Sequence, residues 1–194
     1  LYHVERMNEE SANALLKVME EPPEGVLFLL TADSLAGVLP TIRSRCISFA
    51  VAPVSPEDCA RYCTAQGVGA KDAALYSALF DGHIGTVLAA ARDEARREQV
   101  DRALALAKAA AARDSYAAAV LLAAYEKDKA GASALLADFR AVAAAGLRDS
   151  PHSPVEGETA RKALGAADAA MQQISAQVNP KIVLSVLAAK FRTF

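Results

Sequence analysis

The residues best suited to chemistry lie in Thr41-Ile42-Arg43-Ser44-Arg45-Cys46. The pattern places Arg45 at the end of a short helix, just before a strand, where it is held rigidly and aimed outward. A guanidinium in that position suits a phosphate on a neighbouring molecule, because its planar fork of N–H donors matches phosphate oxygens. The plainer reading of Arg45 is a surface salt bridge, which is worth little. Arg43, two positions earlier, reads as a solvated face residue. Upstream, Ala12-Asn13-Ala14-Leu15-Leu16-Lys17-Val18-Met19-Glu20-Glu21-Pro22-Pro23 carries a second cluster of polar residues. Its acids Glu20 and Glu21 can cap or bridge within the fold, and Lys17 reads as exposed. His3 is either a surface histidine or a metal ligand. Cys59 and Cys63 are one helical turn apart, which fits half of a metal site or two small buried side chains.

Several elements must position these groups. Asn8 is a good N-cap, Glu9 and Glu10 fill a first helical turn, and Ala12, Leu15, Leu16 and Met19 form an apolar face. Pro22-Pro23 ends that helix, since proline has no backbone N–H to donate. Val26-Leu27-Phe28-Leu29-Leu30 is apolar throughout and predicts a central, parallel-sheet strand covered on both faces. Thr31-Ala32-Asp33-Ser34 follows at its carboxyl end, the edge where ligand chemistry collects in open α/β sheets. A short helix over 39–44 leads to a second expected strand, Ile47 to Val51. Pro53-Val54-Ser55-Pro56 marks a boundary, with Ser55 capping a helix to about Gln66. Further helices are expected over 70–80 and from Ile84 through Leu88. Beyond Arg92 the pattern is helical over 93–113, 115–125, 133–147, 156–177 and 181–194, with a turn at Lys127-Asp128-Lys129 and a loop at 149–154. The fold class is therefore mainly α. Three segments are expected: 1–52 as an α/β remnant, 53–92 as a small helical domain, and 93–194 as an all-helical bundle.

Composition narrows the function classes. The chain has 194 residues, 53% of them apolar and many of those alanine, which favours helices. A net charge of −2 excludes a chain that traps nucleic acid by charge alone. The three cysteines, with no C-x-x-C pair, argue against a disulfide framework and fit a reducing cytosol. No run of 18 apolar residues lacks charges, so no membrane span is expected, and the first residues do not read as a signal peptide. Leu1-Tyr2 reads as the tail of a strand, so the expectation is a piece of a longer protein.

The Asn13 to Pro23 helix and the Ser44-Arg45-Cys46 motif together resemble the clamp-loader branch of the AAA+ ATPases, which carries an N-A-L-L-K-x-x-E-E-P-P helix and a downstream S-R-C. In that family the S-R-C arginine is an arginine finger, so the resemblance implies that Arg45 reaches the γ-phosphate of ATP bound by a neighbouring subunit. Asn13, Lys17, Glu20, Glu21, Ser44 and Cys46 carry the motif, and Lys17 is a candidate contact for DNA threaded through the ring. Counting back from the motif puts Ala32, with Thr31 beside it, at the sensor 1 position. The same counting puts His3 and Val4 where the Walker B acids belong, and such a pair cannot hold Mg²⁺ and polarise a water. Gly82-His83-Ile84-Gly85 matches the start of the sensor 2 helix, with Gly85 in place of the ATP-sensing arginine. The resemblance is thus to the delta-prime type of subunit, which donates in trans and does not hydrolyse. By the same resemblance 1–52 is the end of an AAA+ core, 53–92 the helical lid, and 93–194 the collar that holds the ring together.

The implied partners are the tau/gamma and delta subunits of the DNA polymerase III clamp loader, and indirectly the sliding clamp and primed DNA, with no membrane. No metal and no cofactor are expected in this chain, ATP-Mg residing on the neighbouring subunit. No activity is expected from the chain alone, whose setting would be a DNA-directed DNA polymerase holoenzyme, a nucleotidyltransferase of the cytoplasm. The alternative is a truncated tau/gamma-type ATPase. A helical DNA-binding module is disfavoured by the mild acidity and the lack of a basic helix. Residues 1–194 contain no G-x-x-x-x-G-K-[ST] phosphate loop. Calorimetry on this chain is therefore expected to detect no ATP binding at micromolar concentrations.

Overall fold

The computed structural model describes residues 1–52 and 54–194, so Pro53 of the expected boundary lies outside the described residues. The chain is mainly α, with ten α-helices and no strand among the described residues. It divides into two compact units, Leu1–Ala52 and Pro53–Phe194.

The first unit is built on α1 (Glu9–Glu20) and the short α2 (Pro40–Arg43), with 3₁₀ turns at Val4–Arg6 and Leu35–Gly37. Asn8 caps α1 by accepting from the Ser11 N–H at 2.8 Å. Ala12 on α1 is buried with Val4, Val38 and Ile42, and Leu15, Leu16, Met19, Leu30 and Cys46 pack against this small core. The two strands expected over 26–30 and 47–51 are not formed. A strand exists only within a ladder of paired backbone groups. Among the described residues the pairing is limited to Leu1 N–H to Leu29 O at 2.7 Å, Thr31 N–H to Leu1 O at 3.0 Å and Val4 N–H to Thr31 O at 3.0 Å. The first two follow a parallel register, but the third comes from Val4 where that register calls for His3, whose left-handed backbone breaks the ladder. The side chains of Leu27, Leu29, Ile47, Phe49 and Val51 stand exposed, not covered as the sequence predicts.

The second unit is all helical: α3 (Pro56–Ala65), α4 (Ala70–Leu79), α5 (Ile84–Arg92), α6 (Glu94–Ala111), α7 (Ser115–Ala123), α8 (Lys129–Leu147), α9 (Gly157–Ser175) and α10 (Pro180–Lys190). Short polar side chains start most of them: Ser55, Asp93, Asp114, Asp128 and Asn179 each accept from a first-turn N–H. Asp128 explains why α8 begins at Lys129, four residues before the position expected at Ser133. Gly82 has φ +75°, and a Cβ there would stand 1.8 Å from the Val54 carbonyl oxygen, so this turn requires glycine. One core runs from Cys59 and Cys63 through Val100, Leu106, Leu136 and Phe139 to Leu187 and Phe194. Alanines at 103, 107, 110, 143, 160, 163 and 167 are fully buried in it, and their small size lets helix backbones approach closely.

Residues 53–92 and 93–194 share that core and are joined by polar ties as well. Asp138, in the middle of α8, is buried, and both Arg96 and Gln99 of α6 donate to it, Arg96 Nη2 at 2.6 Å and Gln99 at 2.9 Å. Arg96 also lies 5.5 Å over the Phe80 ring. The Asp138 hydrogen bond is the main cause that raises the Arg96 guanidinium above its ordinary value. Helix α8 is long and apolar enough, by length and composition, to cross a membrane, but half of it is buried inside the bundle. Asp138→Ala is expected to cost about 3 kcal/mol in urea unfolding, since it strands the Arg96 charge at the core edge. Cys59 and Cys63 are fully buried, and burial, with Cys59 beside it, raises the Cys63 thiol. Thiol titration of the native chain is expected to label Cys46 first and Cys59 and Cys63 only on unfolding.

Candidate functional site

The first unit brings together the two segments that carry the motif. Arg45 follows the last turn of α2, and its side chain is 39% exposed. One amino group of its guanidinium, Nη2, donates to Glu20 Oε1 at 2.5 Å. The other, Nη1, donates to the Thr41 carbonyl at 3.0 Å and reaches the Ser44 hydroxyl at 3.4 Å. Ser44 itself donates to the Thr41 carbonyl at 3.0 Å. The guanidinium is thus pinned between the C-terminal ends of two helices, and its Nε makes no hydrogen bond among the described residues. The geometry contains the surface bridge to Glu20, and it also holds the guanidinium from the Thr41 side. Neither excludes the other, because an ion pair this exposed contributes only about 0.2–1 kcal/mol. Cys46 is half-buried against the small core and anchors the chain just after Arg45.

The other motif residues are not drawn into this cluster. Asn13 and Lys17 lie exposed on α1, and neither makes a side-chain hydrogen bond or ion pair among the described residues. Glu21 is the exposed residue that follows α1. Thr31 is used through its backbone, pairing with Leu1 and Val4, and Ala32 is exposed. Neither side chain is built into a polar site.

Val4 is 5% exposed and belongs to the core, so it offers no ligand atom. His3 adopts a left-handed backbone with φ 54°. Its Nδ1 lies 3.2 Å from Glu5 Oε1 and 3.6 Å from Asp33 Oδ2, a trio that the sequence pattern did not single out. Arg6 stands 3.6 Å from Glu5 and 3.8 Å from Asp33, and supplies the positive charge that these carboxylates face. Gly37, where a Cβ would come 2.9 Å from Glu5 Cβ, lets the Leu35–Gly37 turn close over Glu5. Burial opposes ionisation of Glu5, but its own backbone N–H, the His3 ring and Arg6 outweigh it and hold the carboxyl below the ordinary value. No sequence signal pointed to the trio, because Asp33 meets His3 and Glu5 only through the backbone pairing of Leu1 and Val4 with Thr31.

In the second unit, Gly85 opens the exposed face of α5, and a Cβ there would meet nothing within 4 Å. Packing does not demand glycine at this position, so nothing in the fold excludes a longer side chain there. Cys59 and Cys63 face the core and have no third metal-ligating group beside them among the described residues, which leaves the buried-pair reading.

Comparison with known proteins falls on the same region. The family model described as DNA polymerase III, delta subunit, matches residues 1–55. The DNA polymerase III subunit delta' of Haemophilus influenzae is 60% identical over 42 residues, which is 22% of this chain and 13% of that protein. The subunit delta' of Yersinia pestis is 52% identical over 46 residues, 24% of this chain and 14% of that protein. The DNA polymerase III subunit gamma of Buchnera aphidicola is 42% identical over 55 residues, 28% of this chain and 15% of that protein. The matched stretch thus spans less than one-sixth of the length of these relatives, and it includes the helix and the Ser44-Arg45-Cys46 turn within the family match. Over residues 1–55, then, this chain is similar to the delta' and gamma subunits of DNA polymerase III, and the likeness extends over less than a third of its length.

Proposed function

We propose that this chain acts as a delta-prime subunit of the clamp loader, a member that does not hydrolyse ATP itself and completes the ATP site of a neighbour with Arg45. The observation that carries this reading is the contrast between the residues kept and those lost. Arg45 is retained and held at three points by Glu20, Thr41 and Ser44. At the positions of the catalytic acids stand His3, paired with carboxylates, and Val4, buried in the core. The position of the ATP-sensing arginine holds Gly85, which nothing in the packing requires. Loss of the groups that serve the chain's own nucleotide, beside retention of the one that serves another, describes donation in trans.

On this reading Arg45 stabilises the charge that develops on the γ-phosphoryl group of ATP-Mg bound by a tau/gamma subunit. The delta subunit, the sliding clamp and primed DNA are the further partners, the helices of 93–194 serve as the collar, and the setting is the cytoplasm. The likeness to a gamma subunit favours a second reading, in which the chain is part of a tau/gamma-type motor. The buried Val4 and the open Gly85 weigh against it, since a motor needs a metal-binding acid and a sensor at those places.

The test is a clamp loader reconstituted with the full-length subunit, tau/gamma and delta, assayed for ATP hydrolysis with clamp and primed DNA. Arg45→Ala is expected to leave co-elution of the assembly intact and to slow hydrolysis at the served site by at least ~10³-fold. Unchanged hydrolysis at that site by an intact mutant assembly overturns the reading.

A further inference from the structure

We propose that Glu20 is a positioning residue for Arg45, fixing its guanidinium so that the Nε edge is presented to an anionic oxygen of the neighbouring nucleotide. This rests on the reading of Arg45 as a donor in trans and adds the residue that aims it.

Three observations carry it. First, Glu20 is the last residue of α1, followed directly by Glu21, and the C-terminus of a helix is where the dipole disfavours a carboxylate. A residue that breaks a local rule in this way is expected to be held by something else in the structure. Second, the partner it takes is specific. Lys17 lies three residues back on the same helix, yet Glu20 bonds to Arg45, 25 residues away in sequence, at 2.5 Å. With Glu20 51% exposed and Arg45 39% exposed, stability alone gives little reason for that choice. Third, the contact completes a three-point hold. The Thr41 carbonyl and the Ser44 hydroxyl engage Nη1, and Glu20 engages Nη2 from the opposite helix. A guanidinium held through both amino groups keeps its plane, and Nε–H is left without a partner among the described residues. Without Glu20, only the local contacts of its own turn restrain Arg45, and the side chain regains its rotamers.

Preorganised charge accelerates a reaction only when it already lies where charge develops, and a misplacement of about 1 Å can cost on the order of 10²-fold. The experiment measures steady-state ATP hydrolysis by the reconstituted loader carrying Glu20→Ala, Glu20→Gln, Arg45→Ala or the double variant Glu20→Ala/Arg45→Ala. Assembly is checked by size exclusion and the melting temperature of each subunit is recorded. Glu20→Ala is expected to lower kcat at the served site by roughly tenfold to 10²-fold with KM for ATP little changed, because a different subunit binds the nucleotide. Glu20→Gln, which keeps an acceptor for Nη2, is expected to recover part of that loss. The double variant is expected to be no slower than Arg45→Ala, since Glu20 acts only through the arginine.

If Arg45→Ala is slow while Glu20→Ala hydrolyses normally, the positioning role is overturned and the trans-donor reading stands. If Arg45→Ala is itself without effect, the trans-donor reading fails and this inference falls with it. A faster Glu20→Ala makes the carboxylate a restraint on Arg45, which overturns positioning. A loss in the double variant equal to the product of the single losses, or a drop in melting temperature that tracks the rate, makes Glu20 merely structural and does the same.

Discussion

A carboxylate in the middle of an apolar helix is the constraint on which the second unit depends. Asp138 lies on α8, surrounded by Leu135, Leu136, Phe139 and Val142, and is stable there only because Arg96 and Gln99 of α6 satisfy it. The pair fixes the register of α6 against α8. It also places the Arg96 guanidinium over Phe80, which follows α4. Arg148, after α8, donates to the Ala78 carbonyl at 3.3 Å and lies 3.5 Å from Asp81. Charged side chains thus bind the segment 54–92 to the bundle at two places, through Arg96 and Arg148. The aromatic cluster of Phe139, Phe191 and Phe194, with centroids 5.8 Å and 4.8 Å apart, seats the final 3₁₀ turn against α8.

The first unit works with far less. Its core of Val4, Ala12, Val38 and Ile42 is small, and polar contacts carry much of its definition. Asn8 sets where α1 begins. The Glu20–Arg45 pair ties the end of α1 to the turn after α2. The Leu1, Val4 and Thr31 backbone bonds tie the first residues to the segment after 26–30. Arg6, Arg43 and Arg45 all reach the surface of this unit, and Arg45 is the one tied to both helix ends. The Arg45 guanidinium is held by neighbours fixed in the backbone or at a helix end, not by a deep core.

The contrast between the two halves of the motif also has a physical basis. An arginine that acts on another molecule must be exposed and oriented, and Arg45 is both. A metal-binding acid must be a carboxylate facing a cavity, whereas Val4 faces the core and His3 is engaged by Glu5 and Asp33 with Arg6 beside them.

Much was determined locally and could be read from the sequence alone. Helix starts follow from Asn8, Ser55, Asp93, Asp114 and Asn179, because a cap is a bond between a side chain and an N–H two or three residues away. The apolar face of α1 and the burial of Cys59 and Cys63 follow from helical periodicity. The likeness to clamp-loader subunits rests on contiguous residues, Asn13 to Pro23 and Ser44 to Cys46. What only the tertiary structure decided involves partners distant in sequence. Val26 to Leu30 and Ile47 to Val51 have strand composition, but pairing requires a neighbouring backbone, and composition cannot supply one. Asp138 looks like a solvent-facing break in an apolar helix until Arg96, 42 residues away, is seen to meet it. Glu20 is legible as an acid that can cap or bridge, but its partner Arg45 emerges only in the fold, because an ion pair between two helix termini depends on how the chain turns between them.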